Sequence, residues 1–135
     1  MRRSLVSVGA IKAPHGLKCG VLVPFGIEFN MPVCEAKFAH MAVLLGESAH
    51  DKTPRELAEL FLWRVKQLYM DIDFPRQFAP EELPEEKIPQ LIKEARSYKP
   101  GFLGSNLRHI TDADIERICK AALEGWDCDL SGMFL

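Results

Sequence analysis

The chain has 135 residues, of which 47% are hydrophobic and 27% charged, with a net charge of −2. These values describe one ordinary globular domain that buries about two thirds of its unfolded surface, without the electrostatic footprint of a nucleic-acid or anionic-membrane binder. Four cysteines, Cys19, Cys34, Cys119 and Cys128, show no C-x-x-C pairing, the pattern of reduced cytoplasmic thiols rather than of a disulfide framework or zinc ribbon.

The start, Met1-Arg2-Arg3 followed by Ser4 to Ile11, imitates the basic and apolar regions of a signal peptide. Lys12 cuts the apolar part short and no small-residue cleavage pattern precedes Pro14, so the segment is expected to be structural, as a short helix or strand. From Pro14 the chain becomes apolar on every side, and Cys19 to Ile27 are nine residues without a charge. Such a run reads as a buried helix or a buried strand. Its length favours helix, Pro24 argues against a central strand, and nine residues fall short of the ~20 of a membrane span. Pro24 is expected to kink the helix by removing a backbone donor.

A second helix is expected from Pro32, a residue suited to a first helical position. Cys34, Phe38, Met41, Ala42 and Leu45 form its inward face and Gly46 its cap. His40 and His50 lie off that stripe and read as solvent-facing. Thr53-Pro54-Arg55-Glu56 opens a third helix through a capping box, running to about Met70 with Leu57, Leu60, Phe61, Val65, Leu68 and Tyr69 inward. Leu62 and Trp63 widen its apolar surface. They pack either inside this domain or against another domain or subunit.

After a connector over Asp71 to Pro80, the acidic run Glu81 to Glu86 reads as a solvated turn ahead of a helix opened by Pro89. Leu91, Ile92 and Ala95 point inward. A loop follows, and Thr111 with Asp114 then caps a fifth helix whose core face is Ile115, Ile118, Cys119 and Ala122, with Gly125 at its end. The expected architecture is all-α, a single domain over 1–135 with about five helices around a buried central helix. No G-x-S-x-G or G-x-G-x-x-G motif is present, so serine hydrolase and nucleotide-fold readings find no support in this chain.

His15 is the candidate for chemistry. A neutral imidazole is a common metal ligand, and Cys19 follows four residues later on the same helix face. Two donors are fewer than the three or four that a metal site wants, so spacing alone leaves a structural histidine, a ligand, and a standalone His15–Cys19 metalloenzyme site all open.

Ala13-Pro14-His15-Gly16-Leu17 and Val23-Pro24-Phe25-Gly26-Ile27-Glu28-Phe29-Asn30 resemble the iron-containing (group III) alcohol dehydrogenases, whose C-terminal helical domain carries a P-H-G helix start followed by an L-P…F/Y-N stretch. The similarity continues through Phe38 to Gly46, Leu83 to Pro89 and Ile110 to Ile115. The resemblance implies an oxidoreductase domain that takes part in holding Fe2+ (or Zn2+) beside NAD(P), with His15 as one ligand of a set of three histidines and an aspartate. A second histidine of that set falls on Met1, and a further active-site histidine falls on Leu5; Cys19 has no family role. The nucleotide-binding N-terminal domain is expected to be absent from this chain and to come, for activity, from a separate polypeptide. Alone, the chain is expected to be inactive. The alternative is a non-catalytic helical module that self-associates as a homo-oligomer through Leu62, Trp63 and the apolar tail.

Overall fold

The computed structural model describes residues 11–97 and 105–127. Within them lie four helices and no strand: α1 (His15–Leu44), α2 (Pro54–Asp71), α3 (Ile88–Ser97) and α4 (Asp112–Glu124). A short 3-10 turn, Glu85–Lys87, leads into α3. The all-α expectation holds. The expected first two helices share the span of α1 and meet at a kink at Cys34 (φ −124°, ψ 17°), two residues beyond the expected start at Pro32. Pro24, expected to kink the helix, keeps helical backbone. The expectations for Arg3 to Ala10, for most of the loop after α3 and for the tail beyond Asp127 lie outside the described residues.

Local chemistry sets the helix ends. Thr53 Oγ1 accepts from the Glu56 amide at 3.1 Å and donates to the Glu56 carboxylate at 3.2 Å, with Pro54 in the first turn. At α4 the capping box is complete: Thr111 Oγ1 accepts from the Asp114 amide at 3.1 Å, and Asp114 Oδ2 accepts from the Thr111 amide at 2.9 Å. The end of α1 closes on Gly46 at φ +104°, where the Glu47 amide reaches back to the Ala42 carbonyl at 3.0 Å. A positive φ there suits a residue without Cβ.

The chain packs as two compact units, and α1 contributes to both. The first combines residues up to Phe25 with Pro75–Trp126. Its core holds Val21 and Phe25 of α1, Phe78, Leu83, Leu91 of α3, and Ile115 and Cys119 of α4. Phe78, Leu83, Leu91 and Ile115 are among the largest fully buried side chains, each contributing about 1.5–3 kcal/mol by leaving water. Arg96 clasps the start of α4, donating to Asp112 Oδ1 and the Ile110 carbonyl, both at 2.6 Å. The Phe78 amide donates to the Ala122 carbonyl at 2.8 Å, and Arg76 donates to the Trp126 carbonyl at 2.6 Å while stacking over that indole.

The second unit, Gly26–Phe74 with Asp127 among the described residues, is built on the rest of α1 against α2. Met31, Ala58 and Leu62 form one buried cluster with Ile27 and Phe38 against it. Ala39, Ala42 and Leu57 form another, flanked by Leu60 and Phe61. The rings of Phe38 and Phe61 stack at 5.4 Å. The expected inward face of α2 holds at Leu57, Leu60 and Phe61 and fails at Leu68. Ala58 and Leu62 are also buried, packed with Met31 of α1, while Leu68 is 54% exposed. Leu62 therefore belongs to the core of this unit and not to an outer surface.

Candidate functional site

His15 is the first residue of α1, held by what precedes it. Ile11 is 2% exposed, the Lys12 amide donates to the Glu82 carbonyl at 2.7 Å, and the Lys18 amide donates to the Pro14 carbonyl at 3.0 Å. One and a half turns on, Val21 is fully buried and Phe25 nearly so. The helix start is thereby anchored from both sides, and His15 itself is solvent-exposed.

Cys19 is half-buried, and its Sγ lies 3.4 Å from His15 Nε2. The spacing expectation that both donors share one face is met. Cys34 and Cys119, by contrast, are buried free thiols, and burial pushes the Cys119 thiol up to about 11, so at neutral pH it is an inert apolar group. His40 and His50 are exposed, as expected, and His50 Nε2 sits 3.1 Å from Asp51. The acidic turn before α3 is spent locally: Glu82 accepts from the Ala79 amide at 2.9 Å, and Glu81, Glu85 and Glu86 face solvent.

Among the described residues no three histidine, cysteine or carboxylate side chains converge as a metal centre would require. The donor set therefore fits one or two ligands of a metal and not a closed site. The second unit carries a recess lined by Leu45, Arg64, Val65, Gln67, Leu68 and Asp71, with no histidine or cysteine in it. Sequence reasoning missed two features. Met41, Leu45 and Leu68 are exposed, since an apolar residue at helical spacing reads as core. Phe78 is fully buried from within a connector, where no periodicity could reveal it.

Comparison with known proteins bears on this site. The C-terminal family profile of the Fe-containing alcohol dehydrogenases matches residues 6–123. The chain is 31% identical to the NAD-dependent methanol dehydrogenase of Bacillus methanolicus over 115 residues, which is 85% of this chain and 30% of that protein. It is 28% identical to the 1,3-propanediol dehydrogenase of Citrobacter freundii over 84% of this chain and 29% of that protein. The crystal structure of a 1,3-propanediol oxidoreductase superposes with a TM-score of 0.73 at 28% identity, over 82% of this chain and 28% of that one. The chain thus spans under a third of the length of the relatives it matches. With its helical architecture and the His15 helix start in place, it belongs to the Fe-containing alcohol dehydrogenase family, as that family's C-terminal domain.

Proposed function

We propose that this chain is the metal-side helical domain of an NAD(P)-linked alcohol dehydrogenase, with His15 supplying one imidazole to the metal. The observation that carries this reading is an exposed histidine at the first turn of α1, inside a family match over residues 6–123. A divalent iron or zinc bound there supplies Lewis acidity toward an alcohol or carbonyl oxygen during hydride exchange with the nicotinamide. The described residues offer too few ligands to complete that centre; in this reading the remaining ligands come from chain outside them, and the cofactor site from a nucleotide-binding domain. In this reading the isolated chain is catalytically silent. It is a cytoplasmic protein, in keeping with the free thiols of Cys19, Cys34 and Cys119.

The length and composition of α1 also satisfy the requirement for a membrane span. We assign it instead to a domain core, because Val21, Pro24, Phe25 and Met31 are covered by protein. The test is reconstitution. The chain is mixed with the N-terminal half of an iron-type relative, Fe2+ or Zn2+, and NAD+ or NADP+. Alcohol-dependent NAD(P)H absorbance is expected from the mixture alone, and His15→Ala abolishes it. Turnover by the chain alone, or silence in every combination, overturns the reading.

One observation favours a second reading, a self-associating module. Leu44 is 71% exposed, Ile72 59% and Leu68 54%, all in the α1–α2 unit. Sedimentation of the pure chain decides it: a monomer at high concentration removes this alternative.

A further inference from the structure

We propose that the outward face of α2 pairs with the same face of a second copy of this chain, the two helices antiparallel about a two-fold axis at Leu68, with Arg64 of each copy opposite Asp71 of the other. The inference rests on the self-associating reading and adds to it the face, the orientation and the charge pair; it requires no dehydrogenase activity. Val65, Leu68 and Ile72 recur at intervals of three and four along α2, the spacing of a seam between two helices. Leu68 and Ile72 are exposed, and Leu45, just beyond α1, is exposed too. Leu45, Val65 and Leu68 share an open recess of about 450 Å³ with Arg64, Gln67 and Asp71. One water takes roughly 30 Å³, so the recess has room for an apolar side chain of a second copy. Clustered exposed apolar side chains rimmed by charge are the usual mark of a protein contact.

The charges select the partner. Arg64 and Asp71 each stand one position before a seam residue, so both flank the seam on the same side, and both are exposed. Arg64 lies four residues before Leu68 and Asp71 three after it. An axis at Leu68 that reverses the helix therefore brings Arg64 of one copy level with Asp71 of the other to within one helical rise, about 1.5 Å. Two opposite-charge contacts form, one on each side of the axis. A parallel pairing in register levels Arg64 with Arg64 and Asp71 with Asp71 and gives neither its opposite. The patch is thus complementary to itself, as a two-fold contact requires. Both side chains are oriented from within their own chain: Arg64 Nε donates to Glu47 Oε1 at 2.8 Å, and Asp71 Oδ1 accepts from Gln67 Nε2 at 3.0 Å. That orientation lowers the ordering cost of association. A guanidinium carries five N–H donors, so one bound to Glu47 can also bind a second carboxylate.

The test is sedimentation of the full, reduced chain over a concentration series, with charge variants beside it. The parent is expected in a monomer–dimer equilibrium. Arg64→Asp and Asp71→Arg, each alone, set like charges across the axis and weaken association by roughly tenfold or more. An equimolar mixture of these two variants is expected to form dimers again, because each charge then meets its opposite in the other chain. Leu68→Glu places a charge on the axis and abolishes the dimer. Helix content by circular dichroism shows whether each variant folds, and the mixture is a second control, since two misfolded chains do not rescue one another. A monomeric parent overturns this pairing and the self-associating reading together. A dimer indifferent to both charge variants, or a mixture of folded variants that stays monomeric, overturns the pairing alone and leaves self-association to another face.

Discussion

Gly125 ends α4 at φ 82° and ψ 156°, a region essentially reserved for glycine, in which other residues cost of order 1–3 kcal/mol. Its amide donates to the Ala121 carbonyl at 2.8 Å, and the turn delivers Trp126 to the Arg76 guanidinium. Gly125→Ala adds that backbone strain, offset by about 0.4–1 kcal/mol because alanine narrows the unfolded ensemble. The added methyl also meets Gln77, at 2.6 Å from Oε1 and 3.2 Å from Cβ. The Oε1 contact is the end of an exposed, flexible side chain and swings away at little cost. The net expectation is a loss of about 1–2 kcal/mol, seen as a lower urea midpoint with unchanged slope in tryptophan fluorescence. The variant Gly125→Ala/Gln77→Ala separates the two sources and recovers under about 0.5 kcal/mol if backbone strain dominates. A loss below about 0.5 kcal/mol in the single variant, or full recovery in the double, refutes the argument.

Thr111→Ala removes half of the capping box and is expected to cost about 0.5–2 kcal/mol in the same assay. The Asp114 carboxyl is held below its usual 3.8, first by the Thr111 amide and then by the Thr111 hydroxyl, with Arg117 adding to both. Its contribution to stability is therefore full above pH 3.8 and falls away as pH drops through the lower folded value, a step that acid unfolding of Asp114→Asn should lack. Cys119 behaves in the opposite sense. With its thiol raised from 9.0 to about 11 by burial, stability holds below pH 9 and falls as pH rises toward 11, and at pH 8 a thiol reagent should label Cys19 well before Cys119. Ala58 is fully buried against Met31 and Leu62, and close-packed interiors resist added methylenes. Ala58→Leu should lower thermal stability by about 1–3 kcal/mol, and a neutral result would mean that the α1–α2 contact is loosely packed.

The sequence made legible whatever is decided within one turn of chain. Thr53, Thr111, Gly46 and Gly125 all occupy the cap positions assigned to them, because a cap is a hydrogen bond among neighbours. Ile115, Cys119 and Ala122 are buried as their spacing predicts. Faces set by contact with a distant element were less legible. Leu68 and Met41 have the right spacing for core and remain exposed, while the buried contacts between α1 and α2 fall on Met31, Ala39, Ala42, Leu57, Ala58 and Leu62. The helix break follows the same logic. A proline removes one backbone donor and so makes a bend cheap, but packing decides where the bend is taken. Pro24 is fully buried and keeps helical backbone, and the departure occurs at Cys34, two residues beyond Pro32.

The same distinction governs the site. One face of a single helix can present donors at i and i+4 and hardly more, so a helix start yields at most a pair of donor side chains, here His15 and Cys19. A closed metal centre needs segments far apart in sequence to converge, and no spacing rule reveals such convergence in one chain. His15 was therefore visible first as a residue of the right type and then as part of a family motif. Cys19 was visible only as a neighbour with no inherited role. The structure adds the 3.4 Å separation and the exposure contrast with Cys34 and Cys119. Those two observations place an accessible imidazole and a half-exposed thiol side by side on one helix face.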